Sequence, residues 1–368
     1  MAWFVAERDF VAKSLLKHER PLWSMSQANE VASSSMKYPV LLLSRDDISE
    51  AGLEMDEIIR IVEGIFRAHG EGKVIMPAKS VLPFDGERKG HLNAMPAYIE
   101  NLNVAGIKWT SGYPSNRQKG IPTCFDILVL SDAETGAPFA ILEGAWITSM
   151  RTAAATAVGI KHLAKKGSKV VGMIGAGDVA LPHVEAVSKI LRFEEFKITD
   201  LRKEASEALA RDAAKRFGIH LKQVDNAYEA ASNSDIIVTI TRNFGERFLD
   251  NEWVKKGALV AAIGGPNEVR PELAKSVKKI IVDNRQQCVT RGNIGGLIKT
   301  GVLRESDVYA EFGEVVTGSK KGRETDDERI IFAPIGMGTN DVAVGHRAYQ
   351  LAKEKGLGKI FHFTHAQQ

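Results

Sequence analysis

Apolar positions recur with two different periods along this chain. Pro39-Val-Leu-Leu-Leu-Ser44 is a short apolar run of strand length. After it, Met55, Ile58, Ile59, Val62, Ile65 and Phe66 fall three and four residues apart, which predicts an amphipathic helix over about 55–69, with Asp46 or Ser49 as a cap near its approach. Short strands are then expected near Ser80–Phe84, 91–98, 104–110, 123–131 and Pro138–Glu143. Asp85-Gly86 and Glu134-Thr-Gly136 read as hairpin turns between them. This half is β-rich. From Thr148 the pattern changes. An Ala-rich helix over 150–163 leads into a buried strand, Lys169-Val-Val-Gly-Met-Ile174, and then a glycine turn and a helix to about Leu191. Strands follow at 196–199, 236–240, 258–263 and 279–282, and Ala205, Leu209, Ala213 and Phe217 form an apolar stripe on the helix between the first two. Strand and helix in alternation imply a parallel, doubly wound sheet. The chain ends in a glycine-rich turn, Pro334-Ile-Gly-Met-Gly338, and a helix from Asp341 to about Lys355.

The chain is 368 residues long, which suggests two domains, or three, at roughly 150 residues each. A net charge of +3 gives no reason to expect a nucleic-acid or membrane surface. Cys124 and Cys288 form neither a disulfide framework nor a CxxC pair, so a reducing compartment is expected. The N-terminus lacks the basic start and apolar run of a signal peptide, and no segment reaches the ~18 apolar residues of a membrane span. A cytoplasmic protein is the expectation. His91, His183 and His346 lack metal-ligand spacing, and no metal is expected.

Gly175-Ala-Gly177-Asp-Val-Ala180 is a G-x-G-x-x-A sequence between an apolar strand and a helix. The first glycine permits a tight turn, the second lets backbone approach a pyrophosphate, and the helix start offers amide donors. Gly175, Ala176, Gly177, Asp178 and Val179 are thus candidates to cradle a dinucleotide. Asp200 ends the next strand, 25 residues after Gly175. A carboxylate there accepts bonds from an adenosine ribose and repels a 2′-phosphate, which favours NAD, unless it is merely a solvated strand end. Arg202 and Lys203 could neutralise that phosphate, leaving NADP possible, or could be exposed helix-start residues.

Three cations stand beside backbone features. Lys79 precedes a strand, Lys108 lies within an apolar strand running into a turn, and Arg151 opens the Ala-rich helix. An Arg near helix amides suits a carboxylate, and a Lys withdrawn from water can transfer protons. Each could equally be a surface charge or an ion pair.

The chain resembles the ornithine cyclodeaminase/μ-crystallin family. Met95-Pro-Ala-Tyr98, Gly106-Ile-Lys-Trp-Thr-Ser-Gly-Tyr-Pro-Ser-Asn116, Ser149-Met-Arg-Thr-Ala-Ala-Ala155, Gly175-Ala-Gly177 and Glu311-Phe-Gly-Glu-Val315 carry the likeness, from about residue 40 to 360. The resemblance implies a Rossmann-type NAD(P)-binding domain inserted into an α+β substrate domain, through which the family dimerises. The boundaries expected are an extension at 1–38, the substrate and dimerisation domain at 39–150, the Rossmann domain at 151–330, and a returning segment at 331–368. It further implies Lys108 as the substrate lysine and Arg151 as the carboxylate-binding arginine. Thr123 would lie near the nicotinamide, with Thr241 and Gly264 on the cofactor. Lys79 falls where the family has a second carboxylate-binding arginine, and lacks its planar fork.

One departure bears on the reaction. Cyclodeaminases carry an aspartate after the Gly-Gly that ends the fifth strand. Here the segment reads Ile263-Gly-Gly-Pro-Asn-Glu268, with Pro266 or Asn267 in its place and Glu268 displaced. Glu268 and Asp341 are candidate acids, Asp341 alternatively a helix cap. The resemblance therefore implies an NAD(P)-dependent oxidoreductase that interconverts an amino acid and its α-imino acid. A cyclodeaminase with no net redox change and a non-catalytic, crystallin-like binder are the alternatives. Its expected partners are a small amino or imino acid and a second copy of itself.

Overall fold

The structure is a computed structural model that describes residues 36–84, 90–242 and 245–365. The expected extension at 1–38 lies almost wholly outside the described residues, as does the Asp85-Gly86 turn. The chain divides into two compact units. The first comprises the described residues through Leu53, Lys73–Ala145 and those from Asp341 onward. The second comprises Glu54–Gly72 and Trp146–Asn340.

The first unit is built on one sheet. Its strands are β1 (Met36–Leu43), β2 (Val74–Ile75), β3 (Ser80–Phe84), β4 (Gly90–Ile99), β5 (Val104–Gly112), β6 (Asp126–Asp132), β7 (Pro138–Glu143) and β16 (Lys359–His365). They run in the order β16-β1-β7-β6-β5-β4-β2, with β3 also on β4. All pairings are antiparallel except β1 with β7. Alternation sorts the side chains into two faces. Met95, Ala97, Leu128, Leu130, Ala140 and Leu142 are buried, whereas Trp109 and Ile127, paired in register, are exposed on the other face. Ser44 caps helix α1 (Arg45–Ala51) in a reciprocal box with Asp47; the apolar-striped helix that follows starts after Glu54, which makes no side-chain cap bond, and Asp46 and Ser49 lie inside α1 instead of capping it. The C-terminal helix reaches back over β5, where a Cβ on Gly106 would lie 2.9 Å from Val342.

The expected 39–150 block is not continuous. Helix α2 (Met55–Gly70) forms as its spacing predicts and buries Met55, Ile58, Ile59, Val62, Ile65 and Phe66. That face packs in the second unit. Phe66 stacks edge-on against Phe312 at 4.7 Å, and a Cβ on Gly70 would lie 2.4 Å from the Gly313 carbonyl oxygen.

In the second unit, helix α3 (Ala145–Leu163) leads into β8 (Val170–Ile174), α4 (Ala180–Ile190), β9 (Glu195–Thr199), α5 (Lys203–Phe217) and β10 (Lys222–Gln223). Then come β11 (Ile236–Thr239), β12 (Leu259–Ala262), β13 (Lys279–Val282), helix α6 (Gly292–Lys299), β14 (Ala310–Glu311), helix α7 (Phe312–Thr317) and β15 (Ile330–Phe332). The strands are parallel, in the order β10-β9-β8-β11-β12-β15-β13-β14. From β8 the chain builds outward in one direction through β9 and β10, then returns to build the other way from β11. The crevice at the carboxyl ends of β8 and β11 is the switch point where such folds bind ligands. β15 lies inside the sheet between β12 and β13, beyond the expected domain end at 330. Helix α8 (Gly338–Glu354) follows it. No helix among the described residues is long and apolar enough to cross a membrane.

Candidate functional site

The glycine turn sits at the switch point. Gly175 has φ +113°, a conformation L side chains rarely adopt, and a Cβ on it would lie 3.0 Å from the Ile240 carbonyl group. The neighbouring strand end therefore presses on the turn from one side. Over Gly177 an added Cβ would meet nothing within 4 Å, so the space above the turn is open. Ala180 begins α4 and is fully buried, which brings helix and strand close. Val179 is the residue flanking that helix, and Asp178 is exposed, 3.8 Å from Arg242.

Asp200 follows β9 and closes the turn from the other side. Its Oδ2 accepts the Ala176 amide at 2.8 Å and its Oδ1 the Arg202 amide at 2.9 Å. The Arg202 side chain folds toward the same carboxylate, at 3.6 Å, from the position before α5. The open space above Gly177, the positive φ that only a glycine takes readily at 175, and the fixed carboxylate fit a dinucleotide, whose pyrophosphate would lie over the turn and whose ribose hydroxyls would meet Asp200.

Next to the turn, Thr241 and Gly264 are held together by Glu268. This side chain is 0% exposed. Its Oε1 accepts the Thr241 amide at 2.9 Å and the Thr241 hydroxyl at 2.7 Å. Its Oε2 accepts the Thr239 hydroxyl at 2.7 Å, the Gly264 amide at 3.1 Å and the Asn293 side-chain amide at 3.2 Å. Burial pushes its pKa up, opposed by these hydrogen bonds. The carboxylate is engaged on both oxygens and ties the ends of β11 and β12 to α6. A Cβ on Gly264 would lie 2.4 Å from Glu268 Oε1 and from Thr241 backbone, so this junction admits only glycine. Asn267 Nδ2 donates to the Gly245 carbonyl at 2.8 Å.

Arg151 lies in the second turn of α3 rather than at a helix start, because the helix begins at Ala145. It is 6% exposed and lies across Gly336, whose added Cβ would be 2.8 Å from Arg151 Nη1. A cavity of about 160 Å³ opens beside it, lined also by Ile263, Asp283, Ile335 and Asn340. Asp283, at the end of β13, holds that loop: its Oδ2 accepts the Ile335 amide at 3.1 Å and the Gly336 amide at 2.7 Å. Neither Asp283 nor Asn340 stands out from the sequence pattern. An acid directly after a buried parallel strand is the signal that could have found the first.

The first unit supplies an acid–base pair. Lys108, at the centre of β5, is 2% exposed, and its Nζ lies 2.8 Å from Asp341 Oδ1. Asp341 is fully buried within the first turn of α8, so it faces a lysine and is not a cap. The two side chains are withdrawn from water together and meet in a charge-assisted hydrogen bond. Lys79 is half-buried just before β3. Thr123 lies ahead of β6 rather than in it, its carbonyl accepting the Tyr113 amide at 2.8 Å. No three His, Cys, Asp or Glu side chains among the described residues come together as a metal site.

The ornithine cyclodeaminase/mu-crystallin family model matches residues 40–356. The alanine dehydrogenase of Archaeoglobus fulgidus is 37% identical over 327 residues, spanning 88% of this chain and 98% of its own. Among solved structures, the Δ1-pyrroline-2-carboxylate reductase of Thermococcus litoralis, in complex with NADH and L-proline, superposes with a TM-score of 0.83. It shares 33% identity and covers 87% of this chain and 99% of its own. An archaeal alanine dehydrogenase dimer with bound NAD gives a TM-score of 0.82 at 35% identity, covering 89% of this chain and 100% of its own. The family match and the fold agree: the chain belongs to the ornithine cyclodeaminase/mu-crystallin family.

Proposed function

We propose that this chain is an NAD-dependent oxidoreductase that interconverts an amino acid and its α-imino acid. Nicotinamide, when bound, gives hydride to the C=N carbon or takes it from the amine carbon. Arg151 pairs with the substrate carboxylate through its planar fork. Lys108 Nζ gives a proton to the substrate nitrogen during reduction, and Asp341 holds the charge of that ammonium until then. Asp200 accepts ribose hydroxyls and disfavours a 2′-phosphate, which supports NAD over NADP, and the NADH- and NAD-bound relatives support the same choice. Thr123, Thr241 and Gly264 keep the cofactor roles the family resemblance gives them, and Lys79 that of a second cation for the carboxylate. Glu268 holds the loops that carry Thr241 and Gly264.

The observation that carries a net redox reaction over cyclodeamination is the engaged state of Glu268. Cyclisation needs proton handling on two nitrogens, and Glu268 is the one acid in the 263–268 segment. Both its oxygens are already occupied. Alanine dehydrogenation and reduction of a cyclic imine such as Δ1-pyrroline-2-carboxylate are the reactions that the relatives support. The exposed Trp109 and Ile127 on the outer sheet face, together with the dimeric relative, support a homodimer. The unlinked Cys124 and Cys288 fit a reducing, cytoplasmic setting.

The test supplies NADH with Δ1-pyrroline-2-carboxylate, or with pyruvate and ammonia, and separately NAD with L-ornithine. Net NADH oxidation in the first case, with little proline and ammonia from ornithine, is expected. Efficient conversion of ornithine to proline without net NADH change would refute the assignment.

A further inference from the structure

The donors that converge on Glu268 differ in whether they can turn. Three are fixed N–H groups: the Thr241 amide on Oε1, and the Gly264 amide and the Asn293 side-chain amide on Oε2. Asn293 cannot turn over, because its Oδ1 accepts the Glu268 and Val269 amides at 2.8 and 3.2 Å and its Nδ2 also donates to the Gly265 carbonyl at 2.9 Å. The other two are hydroxyls, Thr239 on Oε2 and Thr241 on Oε1, each at 2.7 Å. The consequence falls on Thr241. Its amide proton and its hydroxyl proton are both taken by Glu268, and its carbonyl accepts the Gly265 amide at 2.6 Å. What Thr241 offers a ligand is then acceptor capacity alone.

Thr241 stands on the opposite side of the glycine turn from Asp200. Strands β9 and β11 flank β8, and Ile240, the residue before Thr241, presses on Gly175. With adenosine ribose at Asp200 and pyrophosphate over the turn, the nicotinamide riboside half would fall on the β11 side. A pyrophosphate presents acceptors only, whereas that half carries donors in its ribose hydroxyls and its carboxamide. We propose that Glu268 is a positioning residue for the cofactor: by taking both protons of Thr241, it makes this residue an acceptor for the nicotinamide riboside half and leaves the pyrophosphate to the amides of the turn. The inference rests on the reading of Thr241 as a cofactor residue given above. Glu268→Gln reverses the arrangement. The one oxygen of the new amide is drawn to the Oε2 side, where two N–H groups cannot turn. Its NH2 then faces Thr241, whose hydroxyl must turn round to accept and whose amide is left opposed.

Titration calorimetry on the full-length protein with NADH and with ADP tests this, because ADP has the adenosine and the diphosphate and lacks the nicotinamide riboside. In Glu268→Gln the Kd for NADH should rise at least about tenfold, the size expected of an opposed buried donor, and that for ADP by less than about twofold. Glu268→Asp, whose carboxylate falls one methylene short of Thr241, carries the same expectation should the glutamine variant not fold. Thr241→Val should match Glu268→Gln, and Thr241→Ser should bind NADH within about threefold of the wild type. Combining Glu268→Gln with Thr241→Val should cost no more than about twofold beyond the weaker single variant, since both act on one contact. An unchanged NADH Kd in both Glu268 variants, a parallel rise for ADP, or additive losses in the double variant would overturn the role of Glu268. If Thr241→Val leaves NADH binding unchanged, or if the wild type does not bind NADH, the reading of Thr241 fails and this inference fails with it.

Discussion

Lys108 and Asp341 are 233 residues apart in sequence and 2.8 Å apart in the fold. Each is buried, so neither charge is tolerable without the other. This fixes what a substitution should do. Asp341→Asn keeps the shape and a hydrogen-bonding oxygen but removes the counter-charge. The expected result is an about 10²–10⁴-fold lower kcat, the usual contribution of a positioned acid–base group, with the Kd for NADH changed by less than a few-fold. Unchanged kcat would leave the pair a purely structural tie. The chemistry of these residues is partly legible in sequence. Lys108, Arg151 and Asp200 stand in recognisable surroundings, and the family motifs give them roles. Their partners are not legible, because periodicity does not report which distant residue meets a given side chain. Asp341 thus reads equally well as a cap, and Glu268 as a free acid, until Thr239, Thr241, Gly264 and Asn293 are seen to converge on it.

Helix α2 shows what periodicity can and cannot say at the scale of an element. Its six apolar positions are buried as their spacing predicts, yet nothing in the spacing names the unit that buries them. That choice rests on Phe312 and on the close approach of Gly70 to Gly313. Short strands escape for a related reason. β10 and β14 have two residues each and β15 three, too few to display a period. The two glycines of α2 separate packing from propensity. A methyl group on Gly70 collides with the Gly313 carbonyl, so Gly70→Ala should destabilise by about 1–3 kcal/mol, the usual cost of overpacking. At Gly64, in the interior of the same helix, a Cβ meets nothing within 4 Å. Gly64→Ala should therefore stabilise by about 0.5–1 kcal/mol. Urea denaturation of both variants checks the pair, and equal effects of the same sign would contradict the α2–α7 packing.

Across the whole molecule, each unit carries a histidine held neutral by burial. In the second unit His183 is completely enclosed on α4, its Nδ1 2.7 Å from the Val179 carbonyl and its Nε2 3.0 Å from the Thr156 hydroxyl. Desolvation lowers its pKa to about 4. In the first unit His346 lies on α8 against the rings of Phe139 and Tyr349, and burial followed by the charge of Arg347 lowers its pKa to about 4 as well. Unfolded, both would titrate near 6.5. Between these values the unfolded chain binds more protons than the native one, so stability falls as pH falls. The loss starts near pH 6.5 and is complete near pH 4. From pH 6.5 to 5 it amounts to about 2 kcal/mol for each histidine. Glu63 adds a later step. Despite burial, its hydrogen bonds to His162 and Lys161 lower its pKa to about 2, so its contribution is present at neutral pH and fades below about pH 4. Denaturation in urea at pH 7.5 and pH 5 should show the first loss in both units. His183→Asn should flatten that dependence for the second unit and leave it in the first, and His346→Asn should do the reverse. A wild type equally stable at the two pH values, or a single substitution that flattens both transitions, would mean that these histidines do not titrate independently within their own units.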